Sequence, residues 1–234
     1  MIPKPVVGIL GAGRFGMVVA RLATNAGYPV LIAGSGDPRR IALPHDLTDV
    51  VAATAAEVAE RADVVVLALP IGKYRTIPAG PLEGKLVIDA MNYWWQTDGI
   101  LPDFTDPLTS SSEVVRDHLP GSRVVKALNH MGYTDLQDEA RPSGQADRKA
   151  IGIAGDDPAD VDVVADFVDG LGFDPVVVGR LSDGVRLEPG TDPFGADVEA
   201  EELRLMIDSF PTSQRGRRRV AAQRATPSER ADSE

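Results

Sequence analysis

A chain of 234 residues, 43% hydrophobic and 25% charged, can bury one large core and has the composition of a globular domain. It contains no cysteine, which removes disulfides, thiolate catalysis and cysteine-held metal or iron–sulfur centres from consideration. The net charge of −11 conceals an asymmetry: residues 211–234 carry six arginines against three acids, so the rest carries −14, and an acidic body argues against nucleic acid as the partner of the folded part.

Pro5 to Leu10 is an apolar run that ends on a glycine cluster, and Arg14 to Asn25 then shows helical spacing before Gly27 stops it. Pro29 to Ala33 is a second strand, which closes a βαβ unit of about the usual 30 residues. Asp49 to Ala53 reads as a third strand, with Thr54 as N-cap of a helix over Ala55 to Arg61. The β-branched run Asp63 to Pro70 has the continuity of a central strand covered on both faces. Further strands are predicted over Leu86 to Ala90 and Arg123 to Leu128, separated by a helix over Ser112 to Leu119 capped near Ser111. A last unit follows: strand Ala150 to Ala154, helix Pro158 to Leu171, strand Asp174 to Val178. Helices are expected near Leu181 to Leu187 and Val198 to Phe210. The alternation specifies a doubly wound, mostly parallel Rossmann sheet of about eight strands. The expected division is a dinucleotide-binding domain over 1–180, a short helical extension over 181–210 and a solvated, disordered basic tail over 211–234.

Gly11-Ala12-Gly13-Arg14-Phe15-Gly16 is a GxGxxG pattern, weak alone but placed here between a strand and a helix. In that setting the glycines allow a tight turn, backbone approach to a diphosphate and close helix packing, while the helix N-terminus offers free N–H groups to the phosphates. The end of the second strand selects the nucleotide. An NAD site places an acid there, whereas this chain has Gly34 and Ser35. Ser35, with Arg39 or Arg40, suits the 2′-phosphate of NADP, and Asp37 as a displaced ribose ligand is the alternative that NAD would need. No apolar run approaches the roughly 20 residues of a membrane span. The N-terminus enters a strand without the layout of a secretion signal, so no membrane partner and a cytoplasmic location are expected. No metal site is expected.

Ligands of open α/β sheets lie beyond the carboxyl ends of the strands. That singles out Leu69 and Pro70, the stretch Met91 to Trp95 with Asn92 and Trp94, and the stretch Ala127 to Met131 with Asn129 and His130. The Tyr93-Trp94-Trp95 run either walls an aromatic pocket or covers the core. His130 is either a substrate contact or a structural histidine; His45 and His118 read as surface residues.

The glycine fingerprint, Gly34-Ser35, Leu69-Pro70, Asn92 and Val124 to Asn129 together resemble the NADP-dependent coenzyme F420 reductase family, over about residues 6 to 190. The resemblance implies a compact Rossmann domain, hydride transfer between NADP(H) and a deazaflavin co-substrate, and a homodimer. It implies that Gly11 to Gly16, Ser35 and Arg39 or Arg40 hold NADP, that Leu69, Pro70, Asn92, Ala127 and Asn129 shape the nicotinamide side, and that His130 and Trp94 border the deazaflavin. Relatives place an arginine after the serine, where this chain has Gly36. The competing functions are NADP-dependent reduction of a small carbonyl or imine, and redox sensing without turnover.

Overall fold

Val7–Leu10 (β1) and Val64–Leu67 (β4) are buried at every position and lie side by side, paired in parallel from Val7–Val64 to Leu10–Leu67. In this computed structural model, which describes residues 3–224, they are the third and fourth strands of one eight-stranded sheet ordered β3-β2-β1-β4-β5-β6-β7-β8. The other strands are β2 (Val30–Ala33), β3 (Val50–Ala52), β5 (Leu86–Asp89), β6 (Arg123–Lys126), β7 (Ala150–Gly155) and β8 (Asp174–Gly179). The expected doubly wound, mostly parallel sheet is what the chain builds.

Alternation within the strands sends side chains to two cores. Val7, Ile9, Ile32, Val66 and Ile88 pack on one face, and Leu10, Leu31, Val65, Leu67 and Val87 on the other. Helices α1 (Arg14–Asn25) and α6 (Pro158–Leu171) cover the first core, and α2 (Ala55–Arg61) and α4 (Ser111–His118) cover the second. Between β5 and β6 lies also a single turn, α3 (Trp95–Asp98). Thr54 and Ser110 each close a capping box, with Glu57 and Glu113, and so fix where α2 and α4 begin.

One pairing is reversed. β7 runs antiparallel to β6, with Val125 opposite Gly155 and Lys126 opposite Ala154. The reason is the connection: residues 127–149, with α5 (Tyr133–Asp138) packed on α1, do not return to the amino edge, so β7 starts at the carboxyl edge and runs back. The segment Leu181–Leu187 then retraces the sheet as a 3-10 helix, passing Lys126 at Gly184 and Gly152 at Leu187. After α7 (Ala200–Asp208) comes a final helix, α8 (Gln214–Arg224).

That last helix corrects the expectation of a disordered tail over 211–234, as far as 224. Its arginines are not all solvated. Arg215 is ion-paired with buried Glu188, and the Ser213 hydroxyl accepts from Gly216 N–H at 2.9 Å, so charge and capping both hold the helix down. Residues 225–234 lie outside the described part. No helix among the described residues is long and apolar enough to cross a membrane.

Candidate nucleotide and second-ligand site

The glycine turn is fixed by contacts that exclude a side chain. Gly11 has φ +130 and donates to Ala33 O at 2.8 Å, and a Cβ on it would stand 2.1 Å from Ala68 O. A Cβ on Gly16 would stand 1.8 Å from Gly11 O, which is why α1 can approach β1 so closely. Gly13 differs: it is the N-cap of α1, makes no side-chain cap bond, and a Cβ there would meet nothing within 4 Å. With no acid in the first turn of α1, its leading N–H groups face an open cleft with their partial positive charge unspent.

This cleft, of about 710 Å³, runs from Leu10–Gly13 past Leu69 and Pro70 to Ser35 and Arg40. Of the two arginines left open by the sequence, only Arg40 lines it. Arg39 is turned to Asp37, whose carboxylate takes its Nε and Nη2 at 3.0 and 2.6 Å, and the pairing holds Asp37 below the usual carboxylate range. Asp37 lines the cleft already neutralised. Lys73, which sequence reasoning missed, also lines it, and neither it nor Arg40 has an ion-pair partner among the described residues. A lysine three positions beyond Pro70, on a short 3-10 helix at a strand end, was the available signal.

Gly11, Ala12, Gly13, Ser35, Arg40, Leu69 and Pro70 are thus brought together, and the remaining expected residues are not. Gly16 is buried, Phe15 packs on the core, and Arg14 points out to the Tyr133 hydroxyl at 3.1 Å. Ala127 is buried at the end of β6. Asn92 and Asn129 clasp each other: Asn92 Nδ2 donates to Asn129 O at 2.7 Å, and Asn129 Nδ2 donates to Asn92 Oδ1 and Leu187 O at 3.0 and 2.7 Å. Between them and β6, Leu128 adopts φ +64, a strained backbone that turns the chain at the sheet edge.

His130 is not among the residues that line the cleft. It is 1% exposed, and its Nε2 accepts from Gly152 N–H at 3.0 Å, satisfying backbone where β7 has not yet come alongside β6. Burial pushes it down to about 4, opposed only by the Pro193 carbonyl, so it is a neutral structural histidine. His118, expected at the surface, is half-buried with its ring edge-on to Tyr74.

A buried polar network behind the strand ends was not foreseen. Lys126 Nζ donates to Met91 O at 2.6 Å and to Asp89 Oδ2 at 3.3 Å, and Ser112 Oγ donates to the same Asp89 oxygen at 2.6 Å. Beside it, Glu188 Oε1 accepts from the Ser111 N–H and hydroxyl at 2.8 and 2.9 Å while Oε2 faces Arg215. The network ties α4, β5, β6 and α8 into one frame.

Beside that frame lies a second cavity of about 500 Å³, walled by Tyr93, Trp94, Trp95 and Phe194 and lined also by Asp106 and by Arg215 and Arg218 of α8. Trp94 stands edge-on to Phe194 at 5.6 Å. The aromatic run therefore walls a pocket, and Trp94 is where a second planar ligand was expected.

A family model described as NADP oxidoreductase, coenzyme F420-dependent, matches residues 6–93. The metalloreductase STEAP3 of Rattus norvegicus is 28% identical over 213 residues, 88% of this chain and 38% of that protein. The protein YjhV of Escherichia coli (strain K12) is 37% identical over 79 residues, 34% of this chain and 56% of YjhV. The chain thus spans little more than half, or less, of the length of the curated relatives it matches. Among solved structures, a candidate F420-dependent NADP reductase of Arthrobacter sp. FB24 superposes with a TM-score of 0.67 at 24% identity, covering 78% of this chain and 88% of that one, a likeness of fold. The chain has the fold of NAD(P)-dependent oxidoreductases, and the stretch matched by the family model contains the whole glycine cleft.

Proposed function

We propose that the protein is an oxidoreductase that moves a hydride between NADP(H) and a deazaflavin of the coenzyme F420 type. The observation that carries the reading is the pairing of two different cavities at the carboxyl edge of one sheet, a phosphate cradle over Gly11–Gly13 and an aromatic pocket at Tyr93–Trp95. The family description and the Arthrobacter structure support the same co-substrate.

The residues present fit a dinucleotide. The space a Cβ would fill at Gly13 is open, so a diphosphate can reach the backbone there, where the N–H groups of α1 receive it. Arg40 and Ser35, with Lys73 in the same cleft, supply donors for a 2′-phosphate in a body that is otherwise acidic.

When bound, the nicotinamide supplies or takes the hydride and the deazaflavin is its counterpart. The chain's task is to hold both rings in contact, a proximity effect that can contribute about 7–11 kcal/mol. In the aromatic pocket the Tyr93 hydroxyl is already committed, donating to Gly99 O at 3.0 Å and accepting from Leu101 N–H at 3.2 Å. That favours ring-to-ring transfer, whose balancing proton can come from solvent, over reduction of a carbonyl or imine, which needs a placed proton donor.

The test is spectrophotometric. Full-length protein at catalytic concentration, with NADPH and oxidised F420, is expected to bleach the deazaflavin absorbance with matching loss of NADPH. Nucleotide binding without bleaching overturns the deazaflavin reading.

A further inference from the structure

We infer that α8 is a selectivity element of the second cavity, and that Arg218 makes that cavity prefer a planar aromatic ligand bearing a negatively charged side group. The inference rests on the reading that this cavity takes the second ring.

Four arginines crowd residues 215–219, and three are committed. Arg215 is paired with Glu188, Arg217 Nη1 donates to Thr212 O, and Arg219 Nη1 donates to Pro107 O at 3.3 Å. Arg218 is exposed, lines the cavity, and has no hydrogen-bond or ion-pair partner among the described residues. The helix that presents it is held in place. A Cβ on Gly216 would stand 1.8 Å from Phe210 O, so α8 is pressed on the preceding turn, and Glu188 anchors it to the N-terminus of α4. Arg218 is thus an unpaired cation in the same concave site as Trp94 and Trp95, set against one acid there, Asp106, on a protein of net charge −11, so an anion near it meets a local attraction that the rest of the surface does not offer. Such a site recognises a ring by stacking and its charged side group by a charge-assisted bond from the guanidinium.

Both tryptophans of the protein line this cavity, so quenching of intrinsic fluorescence reports on it directly. The full-length protein is titrated at low salt with 5-deazariboflavin and with its 5′-phosphate. The phosphate ester is expected to bind about tenfold more tightly, the scale of one charge-assisted contact at a partly exposed site. Arg218→Gln is expected to erase the preference while leaving the affinity for the neutral ring and for NADPH unchanged, and Arg218→Lys to restore part of it. Equal affinity for the two probes, no quenching by either, or equal losses for both in Arg218→Gln overturns the inference. F420 bleaching that proceeds identically in Arg218→Gln sinks the inference and leaves the proposed reaction standing. A phosphate preference without bleaching does the reverse.

Discussion

Lys126 and Asp89 face each other across β5 and β6, 3.3 Å apart and with neither side chain exposed. Each is rescued from burial by neutral partners as well, Met91 O for the lysine and the Ser112 hydroxyl for the carboxylate. A buried pair of this kind adds little net stability, yet losing one member strands the other as an uncompensated charge. Lys126→Met alone and Asp89→Leu alone are each expected to cost about 3–5 kcal/mol in urea unfolding, and the double variant to cost clearly less than either. A double variant at the sum of the two single losses would show that the residues act independently.

The nucleotide prediction separates two adjacent arginines. Arg40 lines the cleft, whereas Arg39 is held by Asp37. Arg40→Ala is expected to weaken NADPH binding about tenfold or more, the loss of one charge-assisted contact, with NADH affinity nearly unchanged. Arg39→Ala is expected to stay within about twofold for both nucleotides, since an exposed ion pair contributes little. Calorimetric titration with each nucleotide decides it, and a larger loss in Arg39→Ala than in Arg40→Ala contradicts the assignment.

The central strands and the glycine turn were legible because their signals are local: a continuous β-branched run, and glycines between a strand and a helix. The cleft followed from them, since a parallel sheet leaves its ligand only one edge. What escaped was long-range. Whether Arg39 or Arg40 faces the cleft depends on Asp37, a competitor two residues away whose side chain also caps the turn. His130 was ambiguous because its partner, Gly152 N–H, lies on a strand whose reversal no periodicity reports. The basic segment 214–224 looked solvated because the buried acid that anchors it, Glu188, lies 27 residues earlier.

Glycine substitutions distinguish a fold requirement from a ligand requirement. Gly16→Ala forces a methyl group to 1.8 Å from Gly11 O and is expected to lower both stability and nucleotide binding. Gly13→Ala meets nothing within 4 Å and keeps an ordinary extended conformation, so its cost in stability is expected to be within about 1 kcal/mol, the usual difference between these residues at an N-cap. Its methyl group nevertheless occupies the space through which a diphosphate reaches the backbone. Thermal unfolding of the free protein, measured beside NADPH affinity, is expected to show Gly13→Ala nearly normal in the first and deficient in the second. Unimpaired affinity would place the diphosphate elsewhere.

His130 predicts an acid-side loss of stability with a definite sign. Burial holds it at about 4 against an ordinary value of 6.5, so it stays neutral in the folded chain while the unfolded chain takes up a proton. Between those values the unfolded state binds more protons, and stability therefore rises with pH. The contribution is fully present above about pH 6.5 and is lost as the pH falls toward 4, amounting to about 2 kcal/mol at pH 5 by linkage from the two values. His130→Gln keeps an acceptor for Gly152 N–H but cannot titrate. Urea unfolding at pH 7.5 and pH 5 is expected to show a drop in the parent protein larger than that in His130→Gln by this amount, since the carboxylates contribute equally to both. Parallel losses in the two proteins would mean that the imidazole is reached by water in the folded state and is not the buried neutral group its contacts describe.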